Sequence, residues 1–197
     1  MNTYLTEEQR ATLEKAKVGI AGAGGLGSNC AMHLVRAGIR RLVLCDFDVV
    51  SESNLNRQFY FRDQVGEKKV FALADNLRRI EADLELELHD VRLSAENLKA
   101  TFADCDIVVE AFDGAEMKAV FLREMIPTGK RLVSASGMAG VGRSNAMRVQ
   151  RMGHRLVMAG DGESGVSETS APQSPRVGIA AAMEANSVMA LLLNEDV

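Results

Sequence analysis

The sequence predicts an α/β domain with a doubly wound, mostly parallel, Rossmann-like sheet, followed by a C-terminal hairpin and a closing helix. Three observations carry this prediction: short apolar runs alternate with segments of helical period, a glycine-rich turn follows the first run, and the pattern changes after residue 135. Buried strands that alternate with helices indicate a parallel sheet covered on both faces. The length of 197 residues fits one domain, 1–197, with a substantial core.

The first two thirds of the chain contain the predicted strand–helix units. Thr6 opens a short N-terminal helix with a capping box, and Gly38 ends the helix that follows the glycine turn. Leu84, Leu86 and Leu88 alternate with polar residues, so their strand has one wet face and belongs at a sheet edge. This edge position predicts the strand order 3-2-1-4-5. The predicted strands cover 18–21, 42–45, 84–88, 107–109 and 132–135, and the predicted helices cover 7–16, 26–37, 66–82 and 116–125.

The C-terminal part departs from this alternation. Segments 146–150 and 156–158 predict a hairpin that turns near Gly153. Residues 160–175 are rich in Gly, Ser, Glu and Pro, which predicts a mobile loop. The Ala- and Met-rich segment 176–193 predicts a closing helix that is apolar on most faces, as buried helices are.

Composition and charge exclude several classes of function. Lys and Arg number 23 against 27 Asp and Glu, and a net charge of −4 argues against a protein that binds nucleic acid or anionic membranes. No apolar run approaches the roughly 18 residues that span a bilayer, and the charged N-terminus lacks the apolar core of a signal peptide. Cys30, Cys45 and Cys105 lie far apart, which favours a reduced, cytoplasmic protein and excludes a disulfide framework or a CxxC zinc site.

A glycine-rich turn lies between the first predicted strand and its helix. Its small residues let a phosphate approach the backbone, where the free N–H groups of the helix start face it. The glycines of this turn are Gly22, Gly24, Gly25 and Gly27. By itself the turn is a dinucleotide fingerprint, for which NAD or FAD is the default ligand. Asp46 ends the second strand, where a carboxylate binds ribose hydroxyls; a turn-forming aspartate is an equal alternative.

The connection after the second strand is unusually long. It covers nineteen residues, 47–65, and contains Ser53-Asn54-Leu55-Asn56-Arg57-Gln58, whereas connections in α/β units take about 2–6 residues. Arg neutralises and orients phosphate oxygens, and Asn adds neutral donors, so the loop favours a triphosphate over a nicotinamide cofactor. Lys69 starts the next helix and can reach the same phosphates; an exposed pair of lysines, Lys68 and Lys69, is the alternative.

Asp113 follows the buried strand 107–109, which the predicted order places beside the first strand. The glycine turn, Asp46 and Asp113 therefore meet in one crevice at the carboxyl edge of the sheet. Asp113 is the candidate ligand for Mg²⁺ on a triphosphate, because one or two carboxylates suffice for that ion. A helix N-cap is its alternative role.

In this order and spacing, the glycine turn, Asp46-Phe47-Asp48 and the 53–58 block resemble the ThiF/MoeB/HesA superfamily, the ubiquitin-activating-enzyme-like adenylyltransferases. The resemblance covers nearly the whole chain. Segments 111–114, 136–140 and 175–179 are similar to the compact ThiF-type members that are associated with sulfur carriers of thiamine thiazole synthesis.

The resemblance implies a site for ATP. Gly24 and Asp46 would contact the nucleotide, Asp46 through the ribose. Asn54, Arg57 and Lys69 would bind the phosphates. Mg²⁺ is the implied metal, and no zinc is expected, because the CxxC pairs of the longer members do not occur in this sequence.

The resemblance also implies a reaction. The C-terminal glycine carboxylate of a small ubiquitin-like sulfur carrier with a Gly-Gly tail attacks the α-phosphate of ATP, giving an acyl-adenylate and pyrophosphate. Asp113 would serve Mg²⁺ and the reacting phosphate, and Ser53 would belong to the nucleotide-binding set. No cysteine follows Cys105, so we expect the reaction to stop at the acyl-adenylate. A homodimer is the implied assembly.

Three other functions remain open at this point. A nicotinamide-dependent oxidoreductase is supported by the glycine turn and Asp46. An adenylyltransferase for a molybdopterin-type carrier is the second. A degenerate, non-catalytic partner subunit is the third, and the presence of Arg57, Lys69 and Asp113 argues against it.

Overall fold

A computed structural model describes residues 4–165, 167 and 170–197, and every structural statement below concerns those residues. Their strands are β1 Lys17–Ala21, β2 Arg41–Cys45, β3 Glu85–His89, β4 Ile107–Glu110, β5 Arg131–Ala135, β6 Arg148–Met152 and β7 Leu156–Gly160. Their α-helices are α1 Glu7–Lys15, α2 Gly25–Ala37, α3 Lys69–Arg78, α4 Leu98–Thr101, α5 Ala115–Met125 and α6 Ser174–Leu193.

The strands form one sheet in the order β3-β2-β1-β4-β5-β7-β6. Every neighbouring pair is parallel except β6 and β7, which form the predicted hairpin. The predicted order 3-2-1-4-5 is confirmed, and β7 continues the sheet by pairing with β5 in parallel. The chain reverses its direction of winding between β1 and β4, so the carboxyl ends of these two strands border the crevice in which α/β proteins bind ligands.

Local signals explain where the elements begin and end. The capping box of α1 is confirmed, since the Thr6 hydroxyl accepts from Gln9 N at 3.2 Å and the Gln9 side chain accepts from Thr6 N at 3.0 Å. α3 starts at Lys69 rather than at residue 66. Gly66 has a φ of 96°, which helices do not use, and Lys68 still pairs with Val49 in a β-bridge.

α6 packs against α2, β5 and β7 on one face of the sheet. Ala180 and Val188 on this helix are fully buried. Among the described helices, α6 alone is long and apolar enough to cross a membrane, with 20 residues and a mean hydropathy of 1.4. Half of the most apolar stretch of this helix is buried inside the fold, and core helices of soluble proteins can have the same length and composition.

A buried ion pair holds the first residues of the predicted mobile loop. Arg176 on α6 donates to Asp161 Oδ2 at 2.7 Å, and both side chains are almost completely buried. Asp161 also accepts from Glu163 N and Ser164 N at 2.9 and 2.8 Å. These contacts fix residues 161–164 against the start of α6. The part of the prediction that concerns residues 166, 168 and 169 lies outside the described residues.

Glu184 is a fully buried acid on α6. Its two carboxyl oxygens have no hydrogen-bond partner within the described chain. Burial raises the pKa of Glu184 well above its ordinary value, the nearby Glu110 raises it further, and Lys118 lowers it in part. Glu184 therefore keeps its proton to a higher pH in the folded protein than in the unfolded chain.

We expect the Glu184→Gln substitution to flatten the pH dependence of stability. Above the ordinary glutamate pKa of 4.5, the wild type should lose up to about 1.4 kcal/mol of unfolding free energy per pH unit relative to the variant. The reason is that the unfolded chain releases the proton of Glu184 at a lower pH than the folded protein does. Urea unfolding of both proteins between about pH 5 and pH 8 measures the difference. A constant difference across this range would show that Glu184 is ionised in the fold.

Candidate functional site

The glycine turn joins β1 to α2 with close backbone contacts. Gly22 has a φ of 105° and donates its N–H to Cys45 O on β2 at 2.8 Å. A Cβ on Gly27 would lie 1.8 Å from Gly22 O, so no larger residue fits where the helix packs against the turn. These two glycines set the geometry of the turn.

The start of α2 is open to a ligand. Its N-cap residue, Gly24, has no side chain that could cap the helix, and the amides of Gly24 and Gly25 donate to no group in the described part of the chain. Unpaired amides at a helix start, together with the helix dipole, favour an anion. A Cβ on Gly25 would lie 2.9 Å from Val177 Cγ1 and 3.5 Å from Arg57 Cγ. The start of α6 and the stem of Arg57 thus border the turn.

Asp46 is bonded directly to the glycine turn. Its Oδ2 accepts from Ala23 N at 2.6 Å, and its Oδ1 accepts from Asp48 N at 2.8 Å. The carboxylate therefore performs the turn-forming role and also lies beside the turn, where a ribose would meet it. The sequence offered these two roles as alternatives, and the geometry is compatible with both.

The long loop 47–65 folds back onto the turn through side chains that the sequence analysis did not single out. Asn29 Nδ2 donates to Gly25 O at 2.7 Å and to Arg57 O at 2.9 Å. Tyr60 is buried and donates its hydroxyl to Ala23 O at 2.7 Å. Ser28 Oγ accepts from the loop backbone, at Phe59 N, at 2.9 Å. Polar residues in the first turn of an otherwise apolar helix were the available signal for Asn29 and Ser28.

Arg57 is half-buried, and only part of its guanidinium is engaged. Nη1 donates to Ser53 O at 3.1 Å and to Asn56 Oδ1 at 2.8 Å, while Nε and Nη2 have no partner among the described residues. The Asn54 carbonyl oxygen Oδ1 accepts from Ser51 N at 3.1 Å, and the Ser53 hydroxyl pairs with Ser51 Oγ at 2.9 Å. The loop thus holds Arg57 through Nη1 and leaves Nε and Nη2 available to an anion.

Lys69 is a buried lysine, which corrects the alternative of an exposed lysine pair. It is 6% exposed, and its Nζ lies 2.9 Å from Asp48 Oδ2. Lys68, in contrast, is bonded to Asp90 at 3.1 Å on the surface. Asp48, the weaker ribose candidate of the sequence analysis, instead neutralises Lys69. A bound phosphate would compete with Asp48 for this ammonium.

Asp113 is exposed and follows β4 directly before α5. The N-cap residue of α5 is Gly114, and it makes no side-chain capping bond, so the helix-cap role of Asp113 is not observed. The Asp113 carboxylate has no hydrogen-bond partner in the described chain. Its segment touches the glycine turn, since a Cβ on Gly22 would lie 2.9 Å from Ala111 O and 3.7 Å from Phe112 Cδ1.

The acid composition of the site suits Mg²⁺ bound to phosphate rather than a metal held by protein alone. The described residues contain no cluster of three His, Cys, Asp or Glu side chains that could hold a metal. Mg²⁺ typically takes one or two carboxylates and fills its remaining positions with phosphate oxygens and water. The free carboxylate of Asp113, in the segment that touches the glycine turn, fits that donor set.

The three thiols are chemically inert. Cys30, Cys45 and Cys105 are buried. Burial raises the pKa of Cys45 and Cys105 to about 12, and it raises the pKa of Cys30 well above the ordinary value, with Glu184 adding to the effect. Since the thiolate is the nucleophile, none of these residues is poised for covalent catalysis.

Comparisons with known proteins show the family of this chain. Residues 1–196 match the model of the ThiF family. The adenylyltransferase and sulfurtransferase UBA4 of Candida glabrata is 34% identical over 142 residues, which is 72% of this chain and 33% of the relative. The adenylyltransferase and sulfurtransferase MOCS3 of Anopheles gambiae is 35% identical over 127 residues, 64% of this chain and 29% of the relative. The chain thus spans about a third of the length of the curated relatives it matches.

A solved structure has the same fold over almost the entire length. The E. coli tRNA N6-threonylcarbamoyladenosine dehydratase TcdA, in complex with ATP, superposes with a TM-score of 0.87 at 19% identity. The alignment covers 95% of this chain and 90% of that one. The family model, the shared fold and the geometry of the turn lead to one conclusion: the chain belongs to the ThiF family.

Proposed function

We propose that this protein uses ATP to adenylate the C-terminal glycine carboxylate of a small ubiquitin-like sulfur carrier protein, releasing pyrophosphate. One observation carries the proposal: the uncapped start of α2 lies against the stem of Arg57, and the same glycine turn contacts Ala111 and Phe112, which lead directly to Asp113. The names of the relatives, which describe adenylyltransferases and sulfurtransferases, support the reaction class.

The chemistry requires positioning more than a protein nucleophile. The carrier's carboxylate attacks the α-phosphate itself, so catalysis rests on in-line alignment and on neutralising the charge of the phosphates. The amides of Gly24 and Gly25 would bind phosphate oxygens together with Arg57 and Lys69. Asp46 would hold the ribose. Asp113 would hold Mg²⁺, which supplies further positive charge to the phosphates.

A ThiS-like carrier of thiamine thiazole synthesis is the proposed partner, and a molybdopterin-type carrier is the runner-up. The segments at 111–114, 136–140 and 175–179 support the first choice, because they are similar to compact ThiF-type members. A cytoplasmic location and a homodimer belong to the same proposal.

Carrier-dependent exchange of labelled pyrophosphate into ATP tests the function. We expect exchange with a ThiS-like carrier, weaker exchange with a molybdopterin-type carrier, and none with a carrier that lacks its last glycine. Tight binding of NADH without binding of ATP would instead support a nicotinamide-dependent oxidoreductase.

We further expect the product to remain a non-covalent acyl-adenylate, because the three thiols are buried and protonated. Intact-mass spectrometry of the protein after incubation with carrier and ATP should show the unmodified chain. Hydroxylamine should trap the carrier as its hydroxamate, which serves as the positive control. A thiol-sensitive adduct of carrier and protein would contradict the expectation.

A further inference from the structure

A buried carboxylate lies directly beneath the turn that carries Asp113. Glu110 is the last residue of β4 and is 0% exposed. Its Oε1 accepts from Phe112 N at 2.7 Å, and Lys118 Nζ lies 2.9 and 3.0 Å from its two oxygens. The Ser134 hydroxyl on β5 donates to Oε2. Both oxygens of Glu110 are thus engaged by donors from the turn, α5 and β5.

These bonds fix the position of the Asp113 turn. Phe112, whose N–H is held by Glu110, directly precedes Asp113 in the chain. Lys118 also donates to Ala135 O, at the end of β5, at 3.0 Å. The pair therefore joins the carboxyl ends of β4 and β5 and anchors the turn between β4 and α5 to both strands.

Stability alone does not explain this pair. Burying two charged groups costs hydration free energy that their attraction often does not offset, and neutral side chains of similar volume often pack as well. What a neutral side chain cannot do is accept from Phe112 N, Lys118 and Ser134 simultaneously, because this requires the lone pairs of a full carboxylate. The arrangement therefore adds rigidity to the segment that carries Asp113.

We propose that Glu110 and Lys118 are positioning residues for adenylation, a role that rests on the proposed function. They touch no reacting atom. Glu110 holds the backbone that sets the place of the Asp113 carboxylate against the glycine turn, and Lys118 bonds to Glu110 and joins it to β5. Without the pair, the turn keeps its sequence but loses its fixed position.

The test compares Glu110→Gln and the double variant Glu110→Gln/Lys118→Met with the wild type. In carrier-dependent exchange, we expect kcat to fall about 10- to 100-fold in both, because a shift of about 1 Å in a catalytic group has effects of this size. The KM for ATP should change less than about threefold, since the groups that bind the nucleotide are untouched. The double variant leaves no unpaired buried charge, so it carries the test where the single variant folds poorly.

Glu184→Gln is the matched control. Glu184 is also a fully buried acid close to Glu110, but it bonds nothing in the described chain, so its variant should exchange at the wild-type rate. A folded Glu110 variant with wild-type kcat would overturn the proposal. An equal loss of kcat in Glu184→Gln would also overturn it, because the effect would then follow from any acid-to-amide substitution in this part of the core.

Amide hydrogen exchange gives a readout that does not depend on activity. In the Glu110→Gln protein, the amide of Phe112 should exchange at least about tenfold faster, since its carboxylate acceptor is replaced by the weaker oxygen of a neutral amide, while protection in β1 stays unchanged. Unaltered protection at Phe112 would overturn the positioning role. If the wild type itself shows no pyrophosphate exchange, the proposed function fails, whereas this measurement still decides whether Glu110 holds the turn.

Discussion

In the Asp113→Asn variant, the rate of carrier-dependent pyrophosphate exchange is expected to fall about 100- to 1,000-fold, while the protein remains folded. The carboxylate is exposed and has no partner in the described chain, so its loss should change the free energy of unfolding by no more than about 0.5 kcal/mol. Asparagine has nearly the same shape but no charge. It therefore cannot neutralise or hold Mg²⁺ beside the phosphates as a carboxylate does.

Exchange assays and thermal unfolding of the same preparations check this expectation. Asp104→Asn is the control, because Asp104 is an equally exposed aspartate that precedes β4 and so lies at the opposite edge of the sheet. Its variant should match the wild type in both assays. Full exchange by Asp113→Asn would remove Asp113 from the catalytic machinery.

The Arg57→Ala variant is expected to show a loss of similar size, about 100- to 1,000-fold in kcat/KM. Its guanidinium has donors without partners in the described residues, and its aliphatic stem lies against the open start of α2. Without Arg57, the negative charge of the phosphates is not neutralised where further negative charge develops in the transition state. Arg57→Lys should recover part of the activity, since lysine keeps the charge but lacks the planar fork that binds two phosphate oxygens together.

Arg62→Ala separates a specific role from a general effect of positive charge. Arg62 belongs to the same loop, but its side chain is 83% exposed, with a loose contact of 3.6 Å to Glu52. We expect this variant to exchange at the wild-type rate. Wild-type exchange by Arg57→Ala would mean that the 53–58 block serves another purpose, such as holding the loop through Asn29.

Periodicity in the sequence was sufficient for the architecture. Alternation at Leu86 and Leu88 identified the edge strand β3, because a half-wet face shows directly in residue type. The glycine turn and Asp46 were found for a similar reason: tight turns and strand ends restrict which residues can stand there. Such signals depend on near neighbours in the chain, which a single sequence displays.

The side-chain pairing of the site could not be predicted in the same way. The sequence left open whether Lys69 reaches the phosphates or belongs to an exposed pair, and only its burial beside Asp48, 21 residues away, reveals its environment. Glu110 ends an apolar strand, and Glu184 lies in an apolar helix. Nothing local shows that the carboxylate of Glu110 is fully bonded and that the carboxyl group of Glu184 has no partner among the described residues. These properties come from tertiary contacts, which the periodicity of a sequence does not reveal.

The crystal structure of this protein with Mg²⁺ and a non-hydrolysable ATP analogue is the most direct measurement of the central claim. We predict phosphate oxygens at about 3 Å from the amides of Gly24 and Gly25 and from the cationic groups of Arg57 and Lys69. The metal should be bound by Asp113. A nucleotide bound elsewhere, or a guanidinium of Arg57 directed into solvent away from the phosphates, would contradict the account.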